Sequence, residues 1–307
     1  MKTVLILGGF GFIGSNILRY LEHNYLHGYE VIVFSRHPKH VHGLEFRKIK
    51  KIYAGDFSNL CDIRKIFQEN KIDLVIHAIS STVPASSSNM IFDIESNLIP
   101  TVNLLNIMTE FGTKDIVYIS SGGAIYGKSE KKHSEDEDVF PISSHAIVKL
   151  SIEKYLFLFA QQNTINPLVL RLSNPYGLYH YSQKQGIINI AMRAALSGKN
   201  FYIWGDGESR KDYIYVEDWC TILFKLIEKK IFNTVINIGS GSLYSVNEIL
   251  FEIRQLVPSF QWKYREAAVF DIPYVELNTT KLSECIGKYE FVELRDGLVC
   301  IYNWLKS

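Results

Sequence analysis

The stretch "TVLILGGFGFIG", which begins at residue 3, constrains this chain more than any other. Val4 to Leu7 read as a buried strand, and Gly8, Gly11 and Gly14 follow it where a helix opens near Gly11. Glycines so placed allow a tight turn and bring backbone N–H groups at a helix N-terminus close to a pyrophosphate. At the start of a strand–turn–helix unit this spacing predicts a dinucleotide site, with Phe12 and Ile13 lying against the cofactor.

The same style of short, branched, apolar run recurs in "EVIVFS", "DLVIHAI", "DIVYIS" and "PLVLRLS". Strands apolar on both faces and separated by helical segments imply a parallel sheet covered on each side. Two longer helices are expected, at about 90–112 and 142–163, each apolar on more than one face. Burial within one subunit and a dimer interface both supply the second partner that such helices need. Beyond residue 175 the alternation loosens into turns, short strands and small helices. The expected fold class is α/β: a Rossmann-type doubly wound parallel sheet with a smaller C-terminal α/β substrate lobe. Residues 1–175 are read as the dinucleotide-binding domain, joined by some later segments, and 176–307 mainly as a smaller substrate lobe that completes a cleft. The polar run "GKSEKKHSEDEDVF" at 127–140 reads as a solvated loop beside the cleft.

A formal charge of +1 gives no global pull toward nucleic acid or a membrane surface. The four cysteines, Cys61, Cys220, Cys285 and Cys300, are scattered, which fits a reducing compartment better than a disulfide framework or a zinc site. No metal is expected. The first apolar stretch is short and glycine-broken, without a signal-peptide cleavage pattern, and no segment has the length of a membrane span. The expected setting is the cytoplasm.

The second strand should end in a carboxylate if the adenosine ribose keeps a free 2′-OH. Here it ends in Ser35 and Arg36, with His37 and Lys39 behind. A hydroxyl and a guanidinium would welcome a 2′-phosphate, so the cofactor is NAD or NADP with the balance toward NADP. Asp56 in "AGDF", followed by Phe57, is placed to meet the adenine. Ala78 in "HAIS" leaves room for the dinucleotide against the sheet.

These runs, together with Asn97 in "ESNL", "YISSGGAIYG", "VKLSIEKYL", "RLSNPYG", "WGDG…KDYIYVED", "NIGSG…YSVNEI" and "FDIP", resemble the extended short-chain dehydrogenase/reductase family over nearly the whole length. The resemblance is to its nucleotide-sugar epimerases and dehydratases, and nearest to sugar 4-epimerases. It implies a hydride passing from a sugar carbon to nicotinamide and back, a proton taken by a Tyr four residues before a Lys, and a Ser or Thr bonding the same hydroxyl. It also implies a UDP-linked substrate and a homodimer through the two long helices.

The resemblance breaks where chemistry is done. Lys149 fits, but His145 stands at the Tyr position. The Ser/Thr position falls on Gly122, which leaves Ser121 as the nearest hydroxyl. One diphosphate-binding Arg falls on Lys211, with Arg210 beside it, and a second falls on Ala268, with Arg265 three residues upstream. Lysine keeps a phosphate-binding charge but loses the bidentate fork. Imidazole is a competent base with a shorter reach than phenol, and a neighbouring Lys149 cation should keep it neutral. His145 is therefore read either as a weakened, water-assisted base or as a filler of the Tyr space.

Elsewhere in the cleft the resemblance implies that Asn174, Tyr176 and Pro175 share the loop near nicotinamide and sugar, that Thr82 and Val83 line the sugar pocket, and that Tyr244 borders the nucleobase. Asp206 and Asp218 are read as structural, and Asn97 as a tie to backbone. The reading is 4-epimerisation of a UDP-sugar through a transient 4-keto intermediate, impaired by His145 and Gly122. A catalytically weak or inactive binding homologue and an NADPH-dependent keto-sugar reductase stay open beside it. A dehydratase is disfavoured, because its Asp–Glu pair would fall on Gly123 and Ala124.

Overall fold

The computed structural model describes residues 1–24, 28–38, 49–82, 89–128, 131–266 and 274–307. Among these residues seven strands form one all-parallel sheet: β1 (Lys2–Leu7), β2 (Tyr29–Ser35), β3 (Ile49–Ala54), β4 (Leu74–His77), β5 (Asp115–Ser121), β7 (Asn166–Leu172) and β11 (Thr234–Ile238). Their order is β11-β7-β5-β4-β1-β2-β3. The order reverses between β1 and β4, and ligands of such sheets bind outside the carboxyl ends of the strands at that point.

The apolar runs explain the layers. One core packs the sheet against α1 (Phe12–Asn24), α7 (Val216–Glu228) and α9 (Thr280–Ile286), through Ile17, Leu21, Trp219, Leu223 and Leu282. The opposite core uses α2 (Leu60–Glu69), α4 (Ile99–Glu110) and α5 (Ser144–Gln161), through Ile66, Leu104, Met108, Ile152 and Leu156. This is the doubly wound arrangement that the sequence predicts. The expected helix at 90–112 is interrupted: α3 (Met90–Asp93) runs into a π turn at Ile94–Leu98 before α4 begins.

A third core lies in the C-terminal lobe, among α6 (Ile187–Leu196), α8 (Val246–Leu256) and α10 (Leu294–Lys306). Its strands are β9 (Phe201–Trp204), parallel to β13 (Trp262–Arg265), and β10 (Arg210–Tyr215), the hub of a mixed sheet. β10 pairs with β8 (Asn174–Tyr176), antiparallel β12 (Leu243–Ser245) and β14 (Tyr274–Leu277). β14 in turn pairs with β6 (Lys132–His133).

That last pairing corrects the reading of 127–140 as a wholly solvated loop. His133 is buried, stacks on Tyr126 at 4.6 Å between ring centroids and meets Glu137, while Glu135 accepts from the backbone N–H of Asn237 at 2.8 Å. Alternation of charge and polarity does not reveal which polar side chains a distant strand will cover. Among the described residues no helix is long and apolar enough to cross a membrane, and no cluster of ligand-type side chains is arranged to hold a metal ion.

Candidate active site

The glycine turn is built by close packing. Gly8 has φ +81°, a left-handed conformation that suits glycine, and a Cβ on it would press the Ala78 carbonyl at 3.2 Å. A Cβ at Gly14 would come within 2.5 Å of the Gly9 Cα, so only glycine lets α1 settle this near β1. Gly11 is exposed at the helix start, with Phe12 and Ile13 half-buried behind it.

The expected cofactor residues gather on the carboxyl edge of the sheet. Ser35 ends β2 half-buried, and Arg36 after it is exposed. Asp56 is exposed and held by Ser58, whose hydroxyl and N–H donate at 2.5 and 2.9 Å; those bonds, and more weakly Arg36, keep its carboxyl below the usual range. Phe57 is buried with its ring edge-on to His77 at 5.0 Å. Ala78 donates its N–H to the Leu7 carbonyl at 3.0 Å, and half-buried Pro175 lies on β8. Lys39 and Val83, along with Ala268, lie outside the described residues.

His145 and Lys149 stand one turn apart near the start of α5, where Ser143 caps the helix by accepting the Ala146 N–H at 3.3 Å. Both are buried. Lys149 Nζ donates to the Ile119 carbonyl at 2.7 Å and lies 4.9 Å above the Tyr118 ring, which fixes α5 to β5. Burial lowers its pKa to about 8, against the raising influence of Glu153. Burial and the Lys149 cation lower the pKa of His145 to about 4, with Asp93 acting in the opposite sense. His145 Nδ1 lies 3.3 Å from Thr82 Oγ1, so the fourth-strand loop and α5 meet at this ring.

Beneath them Glu153 holds Arg171 at 2.9 Å and accepts from Ser120 Oγ at 2.5 Å, a buried network that steadies β5, α5 and β7. Ser121 is half-buried at the end of β5, beside Gly122. Asn97 accepts from the Ser81 N–H at 2.9 Å and donates to the Asp93 carbonyl, the backbone tie expected of it. Asp218 accepts from Tyr289 and the Val292 N–H, both at 2.9 Å, and Asp206 accepts from the Glu208 N–H at 3.0 Å; both are structural.

The expected substrate residues are less united. Asn174 donates to the Asp212 carbonyl at 2.8 Å and faces Gly123. Tyr176 is 2% exposed and packed in the lobe core, under α10, where it borders a small cavity with Ser240, Ser242 and Tyr244. Arg210 is exposed and paired with Glu248 at 2.8 Å, while half-buried Lys211 pairs in register with Tyr244 of β12. Adjacent residues on a strand point to opposite faces, so Arg210 is not beside Lys211 on the same wall. Arg265 stacks on Tyr202 at 3.8 Å.

Sequence reasoning missed Asp93, whose buried carboxylate depends on the π turn, and Leu277, which fills space against Gly122. The chain does contain one Tyr-x-x-x-Lys, Tyr302 to Lys306, whose amine donates to the phenol at 2.8 Å. It lies on α10, packed on α6 and α8, away from Lys149 on α5.

Residues 4–239 match the model of a family described as "NAD dependent epimerase/dehydratase family". A putative UDP-glucose 4-epimerase of Methanocaldococcus jannaschii is 30% identical, over 99% of this chain and 98% of that one. The crystal structure of a UDP-glucose 4-epimerase with UDP-glucose from Thermotoga maritima superposes with a TM-score of 0.92, at 30% identity and 99% coverage of both chains. A structure of MoeE5 with UDP-glucuronic acid and NAD gives 0.89 at 25% identity, again covering 99% of each.

Proposed function

The chain belongs to the NAD dependent epimerase/dehydratase family, and on that premise we propose that it is a nucleotide-sugar 4-epimerase in which His145 replaces tyrosine as the base. The observation that carries the reading is the union of the glycine turn, Lys149 and His145 on one edge of the sheet, with Thr82 on the imidazole.

The residues present fit a dinucleotide: the cradle at Gly8, Gly11 and Gly14 is closed to any side chain at two of its three glycines and opens on the N-terminus of α1. Phe12, Ile13, Ala78 and Pro175 would flank the cofactor, with Asp56 and Phe57 at its adenine end and Lys149 near its ribose. Bound NAD supplies a hydride acceptor and donor for the sugar carbon. The relative solved with NAD supports NAD itself, whereas Ser35 and Arg36, with no carboxylate between them, favour the 2′-phosphate of NADP.

The remaining chemistry falls to this chain. His145, neutral at pH 7, accepts the proton of the sugar hydroxyl and returns it after the keto-sugar has turned. Thr82 orients the ring. Lys149, still largely protonated at pH 7, places a positive charge near the developing alkoxide. Ser121 is the hydroxyl left beside Gly122, whose missing donor costs about 10² in rate. Lys211 and Arg265 would bind the diphosphate, Asn174 the sugar end and Tyr244 the base; the relative with UDP-glucose supports a UDP-linked substrate. Residues 1–175 then serve the dinucleotide and 176–307 mainly the nucleotide-sugar, with β11 and α7 returning to the sheet.

Exposed Ile91, Ile94, Ile99, Ile147, Tyr155 and Leu158 on α3, the π turn, α4 and α5 support a homodimer.

Restoring the expected base tests the reading. The original chain and His145→Tyr are assayed with NAD and NADP against UDP-glucose, UDP-galactose and their N-acetyl forms, with product sugars read by NMR. Turnover of the original within about a hundredfold of the Tyr form, a gap under about 3 kcal/mol, makes His145 a working base. Activity of the Tyr form alone means that this chain has its chemistry switched off, and silence of both with cofactor still bound favours a binding homologue.

A further inference from the structure

We propose that Asp93 is the counter-charge of His145: a buried carboxylate that sets the proton affinity of the imidazole, so that base and carboxylate form a pair across α5 and the π turn. The proposal deepens the reading of His145 as the base and rests on it for its catalytic meaning.

Asp93 closes α3 and opens the π turn at Ile94–Leu98. It is 1% exposed, and among the described residues neither of its carboxylate oxygens has a hydrogen-bond partner. A carboxylate buried without partners is costly and persists beside a compensating charge or a group that becomes charged. α3 and the π turn both pack against α5, the helix that carries His145 and Lys149. Lys149 is already engaged: its Nζ donates to the Ile119 carbonyl, lies over Tyr118 and feels Glu153 as its acidic neighbour. His145 is the ring on which Asp93 acts, opposing burial and Lys149. Lys149, Asp93 and the hydroxyl of Thr82 are among the groups that act on the imidazole; His77 on β4 and Glu153 answer to Lys149. Single π turns recur at functional sites, where the extra residue in the turn re-aims the side chains on either side of it.

The sign of the charge gives the pairing its meaning. When the sugar hydroxyl loses its proton, an O–H bond breaks and an N–H bond forms on His145, while the carbon-bound hydrogen leaves as hydride to the nicotinamide dinucleotide and a C=O remains. The imidazole becomes a cation, which a carboxylate favours. A tyrosine in the same place must already be an anion to accept that proton, and the same carboxylate opposes that anion. Asp93 therefore suits a histidine at 145 and works against a phenol.

The experiment reads both rings in the full chain. With histidine labelled at Cε1, His145 is the resonance lost in His145→Tyr; Asp93→Asn should move its titration to lower pH by about one unit. In His145→Tyr, labelled tyrosine reports the introduced phenol, and Asp93→Asn should lower its titration too. Activity should respond oppositely: about tenfold loss by Asp93→Asn in the histidine form and no loss, or a gain, in the tyrosine form. Unchanged titration of both rings overturns the pairing, as does an equal loss of activity in both forms. Shifted titrations without turnover of any UDP-sugar support the pairing and overturn only the epimerase reading. If Asp93→Asn does not fold, Asp93→Ser takes its place in the same titrations: shifts of both rings to lower pH support the pairing, and unmoved rings overturn it.

Discussion

Gly122 and Leu277 occupy each other's space: a Cβ built on Gly122 lies 2.5 Å from Leu277 Cδ1, and 2.9 Å from the Arg171 carbonyl. The backbone of Gly122 is not among the positive-φ glycines, so packing, not conformation, keeps a side chain out. Restoring a hydroxyl by Gly122→Ser should cost about 1–3 kcal/mol. Leu277→Ala in the same chain should relieve part of the Gly122→Ser penalty, and the Arg171 carbonyl should keep the rest. Urea melts of the two single variants and the double variant read this coupling as non-additivity.

Acid should unfold this protein through its buried imidazoles. Burial, with Lys149 second, holds His77 at about 3; burial and Lys149 hold His145 at about 4; burial and Arg193 hold His180 at about 4. Each binds a proton more readily when unfolded, so stability is full above pH 6.5 and falls as pH drops through 6.5 toward 4. At about 1.4 kcal/mol for each pH unit separating folded and unfolded values, one such group contributes a few kcal/mol. His145→Tyr should flatten the slope of stability against pH over that window by close to one proton, measured by urea midpoints from pH 7 to 4.5.

Glu153→Gln leaves the Arg171 guanidinium buried without its anion and should cost about 3–5 kcal/mol. The same change removes the group that holds the Lys149 pKa up, so the amine should lose its proton at still lower pH. Thermal melts read the first effect, and the pH at which a lysine-labelled NMR signal titrates reads the second.

Leu158→Glu and Ile147→Glu place a charge on the outer face of α5, where the native side chains are 47% and 51% exposed. If that face meets a second copy, each variant should run as a monomer in sedimentation at concentrations where the original chain is a dimer. Melting of the monomeric fold should change little, since neither side chain belongs to a buried core.

Much of the sheet is legible in the sequence because a strand buried on both faces must be apolar throughout, as "LVIH" and "VLRL" nearly are. The glycine turn is equally plain, since its spacing answers to contacts within one local unit. The π turn is not: Ile94 and Leu98 stand four apart and fit a helical pattern whether the turn closes at four residues or five. The burial of Tyr176 is hidden for a related reason, because a tyrosine on a loop motif carries no sign of whether α10, about 120 residues on, will cover it. Leu277 shows the same limit, being one apolar residue of a short strand until Gly122, just past the end of β5, is known to lie against it.

The pairing of β6 with β14 joins residues 132–133 to residues 276–277. On a ribosome, the glycine turn, His145 and Lys149 are all made well before Leu277. A nascent chain thus carries its glycine turn and His145 before the wall against Gly122 exists. The order of translation therefore places the wall after the backbone it closes upon.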